Sequence, residues 1–477
     1  MSSRASSCVA GGNLVPAELR WPPHPFRAGF CITDDTDTAT LASVRAVYDV
    51  LADHGVFATK TVWAFPPEEP CGIPALPASI QRGVTLADAN YRRYCSELAR
   101  RGFELALHGA SAGNNRRASV ERGFALLDQL APASPVYICH AKNADNPYWQ
   151  EKVVARGPLR SLLALYARGH QCSGEDPASP YFWGDLCRRR VRYIRLMRTR
   201  NLDTLAADPA MPYFECEKPL VNGWFTATKR SFRDASAAAA LDALESHWGL
   251  TVLYQYMCRY ADPATGRALA SFTDHVARLA ARSRVWKANT GAILDRLRLM
   301  HGVFLAARGR ELWIVNTTAD DARGLQLETA AAVAGVPPEG VSAADGVLHV
   351  PLVRAGNMLR LEFREPLQVK GHRHVEVSAQ GTGRTSFGHG EVFVNTGRQT
   401  WAPVKGPAVP AGESRILWER GLEEIRPRSR ASELGLTRLF LAQSSIILRE
   451  VLFRGRALDS NRWLGSEDIR LESHDAW

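Results

Sequence analysis

The chain has 477 residues, of which 45% are hydrophobic and 23% charged, and its formal net charge is +10. This length exceeds what one hydrophobic core usually organises, so we expect two or three domains in an ordinary globular protein. The positive charge favours anionic partners such as nucleotide sugars, acidic glycans or a membrane surface. The basic residues are mostly arginines spread through Ala- and Leu-rich segments without an aromatic and basic module, which argues against nucleic-acid binding.

The cysteines and the N-terminal segment both indicate a cytoplasmic protein. Nine cysteines are scattered along the chain with no C-x-x-C pair, and an odd number argues against a complete disulfide framework. Residues 1–16 lack the apolar core of a signal peptide, and no later apolar stretch reaches the length of about 20 residues that spans a membrane. We therefore expect reduced thiols, no signal peptide and no membrane span.

Residues 30–37, Phe-Cys-Ile-Thr-Asp-Asp-Thr-Asp, form a short apolar run that ends on three carboxylates. The continuous apolar residues 30–32 predict a buried strand of a parallel sheet, because such strands are covered on both faces. Asp34 and Asp35 then stand side by side at its carboxyl end, where ionising both costs free energy unless a cation compensates. A divalent metal is the simplest compensation. The alternative is that these aspartates only cap the following helix, an explanation that suits Asp37 best.

Strand and helix alternate over the first 140 residues. The predicted strands after the first cover residues 56–65, 103–107 and 136–139. The predicted helices between them begin after a cap at Thr38 or Thr40, at a capping box of Thr85 and Asp88, and at residue 120. A polar residue capable of chemistry stands where several strands end, namely Asp34 and Asp35, then His108, then His140.

This alternation is typical of a (β/α) barrel or a doubly wound sheet. In both folds the carboxyl ends of the parallel strands face one mouth, so residues far apart in the sequence converge there. Two histidines and one aspartate are a suitable ligand set for a catalytic Zn²⁺ that keeps one position open for water.

The residues at the strand ends resemble motifs of the polysaccharide deacetylases, the family with the NodB-homology domain. The first family motif, Thr-Phe-Asp-Asp, ends the first strand, and this chain has Ile-Thr-Asp-Asp at residues 32–35. The second motif, His-(Ser/Thr)-x-x-His, is matched by residues 108–112, of which only His108 is a histidine. The resemblance extends more loosely over about residues 26–300. It implies a (β/α) barrel of the glycoside hydrolase/deacetylase type.

The resemblance also implies a role for each motif residue. Asp34 corresponds to the general base, and Asp35 and His108 correspond to metal ligands. Because Ala112 stands where the family has its second histidine, His140 on the next strand is the predicted third ligand. The implied activity is hydrolysis of an N- or O-acyl group on a carbohydrate, by an enzyme acting on carbon–nitrogen bonds. The implied cofactor is a divalent metal, first of all Zn²⁺.

Three further residues are predicted to contact the carbohydrate substrate. Trp63 and Trp149 are expected to stack on sugar rings at the mouth of the barrel. Asn143 belongs to residues 140–149, which look like a loop found in uncharacterised deacetylase-like proteins of surface-polysaccharide gene clusters.

Alternative functions remain open at this point. Ala112, together with Gln255 or Tyr256 where the family has a late-barrel histidine, favours a catalytically degenerate barrel that binds carbohydrate or scaffolds polysaccharide synthesis. A glycoside hydrolase needs two carboxyl groups across the sugar, for which Glu104 is a candidate. Residues 35–37 also spell the D-x-D of metal-dependent glycosyltransferases.

The pattern changes after the barrel segment. From Gly302 onwards, short strand candidates are separated by Gly- and Asp-containing turns, which is typical of a β-sandwich. The predicted organisation is an N-terminal extension at residues 1–25, the barrel at 26–300, a small β domain at 301–365 and a β-rich C-terminal region at 366–477.

Overall fold

The computed structural model describes residues 14–71, 82–140, 143–147, 172–208, 211–214, 223–316 and 318–369, together with four strands between residues 373 and 403. These residues divide into two units. The first unit is formed by Phe26–Asp295. The second is formed by residues 14–25, which include strand β1 (Val15–Arg20), and by the described chain from Arg296 onwards.

The first unit alternates strands and helices. Its strands are β2 (Ala28–Asp34), β3 (Thr59–Val62), β4 (Glu104–Leu107), β5 (Val136–Tyr137), β6 (Tyr193–Thr199), β7 (Tyr213–Phe214), β8 (Gly223–Thr228), β9 (Leu250–Gln255) and β10 (Val285–Lys287). Its helices are α1 (Leu41–Asp53), α2 (Ala89–Arg100), α3 (Arg117–Asp128), α4 (Gly184–Arg190), α5 (Thr204–Ala207), α6 (Phe232–Ala235), α7 (Ala238–His247) and α8 (Ala270–Ala280), with α9 (Thr290–Met300) across the boundary. None of these described helices is long and apolar enough to cross a lipid bilayer.

The strands of the first unit close into a barrel. Strands β2, β3, β4, β5, β6, β8 and β9 pair in parallel in this order, and β9 pairs with β2 again. Strand β10 pairs with the first half of β2, and β7 pairs antiparallel with β8. The (β/α) barrel predicted from the sequence is therefore confirmed. Its parallel strands place all their carboxyl ends around one mouth.

Strand β2 and helix α1 form as their sequences predict. All seven residues of Ala28–Asp34 are buried, as the continuous apolar run requires. Helix α1 begins where the Thr40 hydroxyl accepts a hydrogen bond from the backbone N–H of Ser43 at 3.1 Å. This is the helix cap predicted at Thr38 or Thr40. The residues that α1 buries lie on one helical face and are Val44, Val47, Tyr48 and Leu51.

The start of helix α2 differs from the predicted capping box. Asp88 is the N-cap, and its carboxylate accepts a hydrogen bond from the backbone N–H of Tyr91 at 2.8 Å. The Thr85 hydroxyl instead accepts from the backbone N–H of Ala87. A carboxylate next to the first free N–H groups also interacts favourably with the positive end of the helix dipole, so Asp88 is the better cap.

Strands β3 and β5 are shorter than the sequence predicts, because the chain leaves the sheet early to bond with loops at the mouth. The backbone N–H of Ala64 donates to Ala110 O at 2.9 Å instead of continuing the strand. After β5, the side-chain amide of Asn146 donates to His140 O. These contacts keep the residues that follow the strands close to the mouth of the barrel.

The second unit consists of two sheets. Its strands after β1 are β11 (Val303–Arg308), β12 (Glu311–Asn316), β13 (Ala322–Thr329), β14 (Ser342–Ala344), β15 (Val347–Val353), β16 (Met358–Glu362), β17 (Leu367–Val369), β18 (Arg373–Val377), β19 (Gly383–Phe387), β20 (Glu391–Asn395) and β21 (Trp401–Pro403). One sheet has the order β14-β15-β13-β1-β17 and the other β16-β12-β11-β18-β19-β20-β21. The short strands predicted after the barrel are thus present among the described residues between 303 and 403. Residues 15–20, predicted as part of an extension, form an inner strand of the first sheet.

Candidate metal centre

Three buried side chains converge at the carboxyl ends of the barrel strands: Asp37, His108 and His140, hereafter the Asp–His–His cluster. The Nε2 atom of His108 lies 3.1 Å from Oδ2 of Asp37, and the Nε2 atom of His140 lies 3.1 Å from its Oδ1. All three candidate ligand atoms lie within 4.8 Å of one another. The rings of the two histidines are nearly perpendicular, at 87°.

A tight turn between β2 and α1 directs Asp37 towards the two histidines. The backbone N–H of Ala39 donates to Thr36 O at 3.1 Å and closes this turn. Thr38 within the turn has a φ of 63°, a left-handed conformation that costs a residue with a β-carbon about 1–2 kcal/mol. The backbone N–H of Thr38 donates to Arg82 O at 2.7 Å, and this contact helps to hold the turn in place.

The Nδ1 atoms of both histidines face hydrogen-bond acceptors. Nδ1 of His108 lies 3.2 Å from the backbone oxygen of Ile138, and Nδ1 of His140 lies 3.0 Å from Oδ1 of Asn143. The amide nitrogen of Asn143 donates to Ser111 O, so its oxygen is the end that faces the ring. Both Nδ1 atoms are therefore donors, and each Nε2 atom is directed at the carboxylate of the cluster.

This arrangement fits a divalent cation. A neutral imidazole whose Nδ1 carries the proton has a lone pair on Nε2, which repels a carboxylate oxygen unless positive charge lies between them. One divalent cation supplies the same charge as two protons. Bonds of 2.0–2.1 Å to a tetrahedral zinc ion place neighbouring ligand atoms about 3.3 Å apart. The 3.1 Å separations in the Asp–His–His cluster are close to that value.

The electrostatics of the cluster follow from its burial and its own contacts. When no cation is bound, each Nε2 must itself carry a proton to bond to Asp37. Burial opposes ionisation of Asp37, but these hydrogen bonds from His108 and His140 hold the pKa of its carboxyl well below the usual range. Burial also disfavours the charged form of His140, but its hydrogen bond to Asp37 raises the pKa of the ring above its ordinary value. The three groups therefore stabilise a carboxylate facing positive charge.

Asp35, predicted as a metal ligand, lies beside the cluster and is bound to Arg195. The guanidinium group donates to both carboxylate oxygens, at 2.8 and 2.7 Å. This is a bidentate charge-assisted pair, and the two side chains are only 4% and 3% exposed. Oδ2 of Asp35 lies 3.7 Å from Nε2 of His108. Asp37 contacts both histidines more closely than Asp35 does.

Asp34, predicted as the general base, faces the layer between the barrel and helix α1. Its Oδ2 accepts a hydrogen bond from the Tyr48 hydroxyl at 2.8 Å and lies 3.0 Å from Nζ of Lys60. Its Oδ1 accepts from the backbone N–H of Met257 at 2.8 Å. Burial raises the pKa of Asp34, although the positive charge of Lys60 opposes this. Asp34 therefore connects helix α1, strand β3 and the chain that follows β9.

The residues predicted to contact carbohydrate lie in different surroundings. Trp63 is 1% exposed, its ring stacks on His108, and its Nε1 donates to the backbone oxygen of that histidine at 2.9 Å. Asn143 is fully buried against His140, as described above. Trp149 lies outside the described residues. Trp63 and Asn143 thus both contact the histidines of the cluster.

Three other positions considered from the sequence are not part of the Asp–His–His cluster. Ala112, where the related motif has a histidine, is buried. Gln255 at the end of β9 donates to the backbone oxygen of Arg230 and accepts from the Tyr260 hydroxyl. Glu104 is the first residue of β4, so it lies at the amino ends of the strands, opposite the mouth. Its carboxylate accepts from the Thr59 hydroxyl at 2.6 Å.

Sequence reasoning missed two residues of this site. Asp37 is not among the predicted site residues because a helix cap explains it best from the sequence, whereas Thr40 is the cap and leaves the carboxylate of Asp37 for the cluster. The available signal was the D-x-D of residues 35–37, a motif of metal-dependent glycosyltransferases. Arg195 had no signal, since it meets Asp35 from 160 residues away.

Comparison with known proteins identifies no family for this chain. No family model matches it, and no curated protein matches it. The crystal structure of Puue allantoinase is 12% identical, covers 59% of this chain and 95% of its own, and has a TM-score of 0.31. A GH30 endoxylanase from Clostridium papyrosolvens C71 is 8% identical, covers 73% and 98%, and has a TM-score of 0.24. GH30 xylanase C from Talaromyces cellulolyticus is 10% identical, covers 73% and 99%, and has a TM-score of 0.27.

Proposed function

We propose that this protein hydrolyses an N- or O-acyl group on a carbohydrate with the help of a divalent metal, first of all Zn²⁺. The observation that carries the proposal is the buried Asp–His–His cluster with a further carboxylate, that of Asp35, beside it at the barrel mouth. The resemblance of residues 32–35 and 108–112 to motifs of polysaccharide deacetylases supports the choice of substrate class. In this proposal Asp37, His108 and His140 hold the metal.

The residues around the cluster have distinct roles in the proposed reaction. A bound divalent cation supplies positive charge that makes a water molecule more acidic and stabilises the negative charge developing on the acyl oxygen. Asp35 accepts the proton of the attacking water, because its carboxylate lies 3.7 Å from His108 Nε2 and is thus within reach of a water beside the cluster. Arg195 holds both oxygens of Asp35 and fixes the orientation of this base.

Asp34 is the base that the motif resemblance implies, and its surroundings support that role less well. Its side chain accepts hydrogen bonds from Tyr48 on α1 and from the backbone of Met257, on the side of β2 away from the Asp–His–His cluster. Its ion pair with Lys60 lies towards helix α1, on the opposite face of β2 from Asp35. We therefore propose that Asp35 accepts the proton and that Asp34 has a structural role, in which it connects Tyr48, Lys60 and the backbone of Met257.

Glycoside hydrolysis is less well supported. It requires two carboxyl groups about 5–9.5 Å apart across the sugar, one of them free to act as an acid. Among the described residues, the carboxylates beside the Asp–His–His cluster are Asp35, bound to Arg195, and Asp37, bound to two histidines. The remaining candidate, Glu104, begins its strand and lies at the opposite end of the barrel.

Acetate release provides a direct test. The purified protein, loaded with Zn²⁺, is incubated with N-acetylated oligosaccharides and with O-acetylated sugars, and free acetate is measured. We expect turnover by the wild type and a loss of 10²-fold or more in Asp35→Asn, the range for removal of a general base. Asp185→Asn is the matched control, because Asp185 pairs with Arg117 on the helical surface.

The outcomes separate an enzyme from a binding protein. Loss of acetate release in Asp35→Asn with unchanged zinc content supports the proposal. Absence of turnover by the metal-loaded wild type across the whole panel contradicts it and favours a degenerate barrel that binds carbohydrate.

A further inference from the structure

Trp63 packs against both histidines of the Asp–His–His cluster. Its indole ring lies nearly parallel to the ring of His108, at an interplanar angle of 14° with the ring centres 6.2 Å apart. The same indole meets the ring of His140 at 87°, with the ring centres 5.4 Å apart. Its Nε1 donates to the backbone oxygen of His108 at 2.9 Å. A displacement of the indole would therefore move the two imidazoles.

Residues 82–86, hereafter the 82–86 segment, lie against Trp63. The backbone N–H of Leu86 donates to Trp63 O at 2.9 Å, and Thr85 forms a parallel bridge with Trp63. Gly83 lies against the indole itself, because a β-carbon on this glycine would be 2.8 Å from Cζ3 of Trp63. Carbon atoms at that distance overlap, so the indole fills the space that a side chain at position 83 would need.

The requirement for glycine at position 83 is steric. Gly83 is not among the glycines with a positive φ, so its backbone conformation does not itself demand glycine. Cζ3 belongs to a rigid fused ring, which cannot bend away as the end of a flexible side chain can. The same β-carbon would also lie 3.1 Å from Thr36 O, in the turn that carries Asp37. An added methyl group therefore has to push either the indole or the backbone.

The same segment also holds the turn that directs Asp37. The backbone N–H of Thr38 donates to Arg82 O at 2.7 Å, and the backbone N–H of Val84 donates to Ala39 O at 2.8 Å. Thr38 has a left-handed conformation with a φ of 63°, which persists only where surrounding contacts maintain it. A shift of the segment would therefore displace this aspartate from the cluster.

We propose that Gly83 and Trp63 are positioning residues, whose matched sizes set the positions of the three metal ligands. This role depends on the metal centre of the proposed function. Moving Cζ3 from 2.8 Å to an ordinary carbon–carbon contact of about 3.5 Å requires a shift of about 0.7 Å. Ligands have to stay within about 0.5 Å of their productive positions. A methyl group at position 83 should thus weaken metal binding although every ligand is still present.

Zinc titrations of a double-mutant cycle test whether the two sizes are matched. Gly83→Ala should weaken Zn²⁺ binding by about tenfold or more, the range for disturbed outer contacts of metal ligands. Trp63→Phe removes Cζ3 and the Nε1 donor, and should by itself weaken binding about tenfold. Adding Gly83→Ala to Trp63→Phe should then change the affinity by less than about threefold, because the atom that the methyl group would meet is gone.

Gly223→Ala is the matched control. A β-carbon on Gly223 would lie 2.9 Å from Cδ1 of Tyr193, which is nearly the same overlap with an aromatic ring. Both residues begin their strands, so they lie at the end of the barrel opposite the mouth. In chemical denaturation this variant should lose stability as Gly83→Ala does, yet it should bind Zn²⁺ with the affinity of the wild type.

The zinc affinities test this role whether or not acetate is released. Wild-type affinity in Gly83→Ala, or an equal loss from Gly83→Ala with and without Trp63→Phe, overturns the proposal. Should Gly83→Ala fail to fold, unchanged affinity in Trp63→Phe overturns it instead. If the wild type binds no Zn²⁺, the metal centre and the positioning role fail together. If it binds Zn²⁺ but releases no acetate, only the proposed reaction fails.

Discussion

The Nδ1 atom of His140 lies 3.0 Å from Oδ1 of Asn143, and the other end of that amide is held by Ser111 O at 3.2 Å. The amide therefore selects the tautomer of His140 in which Nε2 is free of a proton. Acceptors of this kind orient metal-binding histidines and raise their affinity as ligands. Asn143, predicted as a substrate contact, has surroundings that suit this orienting role.

Replacing Asn143 by Ala should weaken metal binding. The ring of His140 loses the acceptor that fixes its tautomer, and losses of this type reduce metal affinity by about 10–100-fold. Titration calorimetry with Zn²⁺ measures the change. Asn90→Ala is the control, because Asn90 contacts Arg93 on the exposed side of α2. Equal affinities of both variants for Zn²⁺ would remove Asn143 from the site.

The choice between Asp37 and Asp35 as the metal ligand can be tested directly. Asp37→Ala removes one of three proposed ligands and should weaken Zn²⁺ binding by well over the tenfold that about 1.4 kcal/mol represents. Asp35→Asn should retain the metal, since its carboxylate is engaged by Arg195. Zinc content after dialysis and titration calorimetry with Zn²⁺ measure metal binding by the two variants. The reverse result would restore Asp35, the ligand predicted from the motif, and exclude Asp37.

Substitutions of Asp34 and Lys60 should have strongly non-additive effects on the free energy of unfolding, because the two side chains form an ion pair. Both side chains are at most 1% exposed, so Lys60→Met leaves a buried carboxylate without its cation and should cost about 3–5 kcal/mol. The double variant Asp34→Asn with Lys60→Met should cost much less than the sum of the single variants. Denaturation followed by tryptophan fluorescence measures each free energy of unfolding.

An exposed ion pair provides the reference for the Asp34 and Lys60 variants. Arg101→Met breaks an exposed pair with Asp49 and should cost about 0–1 kcal/mol. If Lys60→Met is no more destabilising than Arg101→Met, the Asp34 and Lys60 pair does not hold the strand ends together.

Asp145 should make the stability of the protein depend on pH. Burial raises the pKa of this carboxyl from 3.8 to about 6, although hydrogen bonds from Asn115 oppose the rise. Between these two values the folded state binds a proton that the unfolded state has lost, so stability falls as pH rises through this window. The difference corresponds to about 3 kcal/mol.

The variant Asp145→Asn tests this dependence. Between about pH 4 and pH 7 its free energy of unfolding should improve relative to wild type by up to about 3 kcal/mol. Asp262→Asn should show the opposite sign, because hydrogen bonds from its own turn lower the pKa of Asp262. Parallel stability curves of wild type and Asp145→Asn would contradict the raised pKa.

Local physical chemistry was sufficient to predict the alternation of strands and helices and the positions of His108 and His140 at strand ends, whereas the choice of a barrel over a doubly wound sheet came from the motif resemblance. A continuous apolar run predicts a strand that is covered on both faces, and β2 is such a strand. Apolar residues at helical spacing predict a helix with one buried face, and α1 is such a helix. His108 and His140 follow directly, since each comes just after a strand, and the ends of parallel strands meet at one mouth. The same reasoning placed carboxylates at the end of β2.

Which carboxylate faces the histidines was decided only by the tertiary structure. Asp34 and Asp35 must face opposite sides of β2, but the sequence does not say which side is the barrel interior. Asp37 reaches the cluster because the turn at Thr38 is held by contacts from distant residues, including the backbone of Arg82. Arg195 occupies Asp35 from across the barrel. Such contacts form between residues that are far apart in the sequence and meet only when the whole barrel has folded. Local propensity and periodicity therefore contain no information about them.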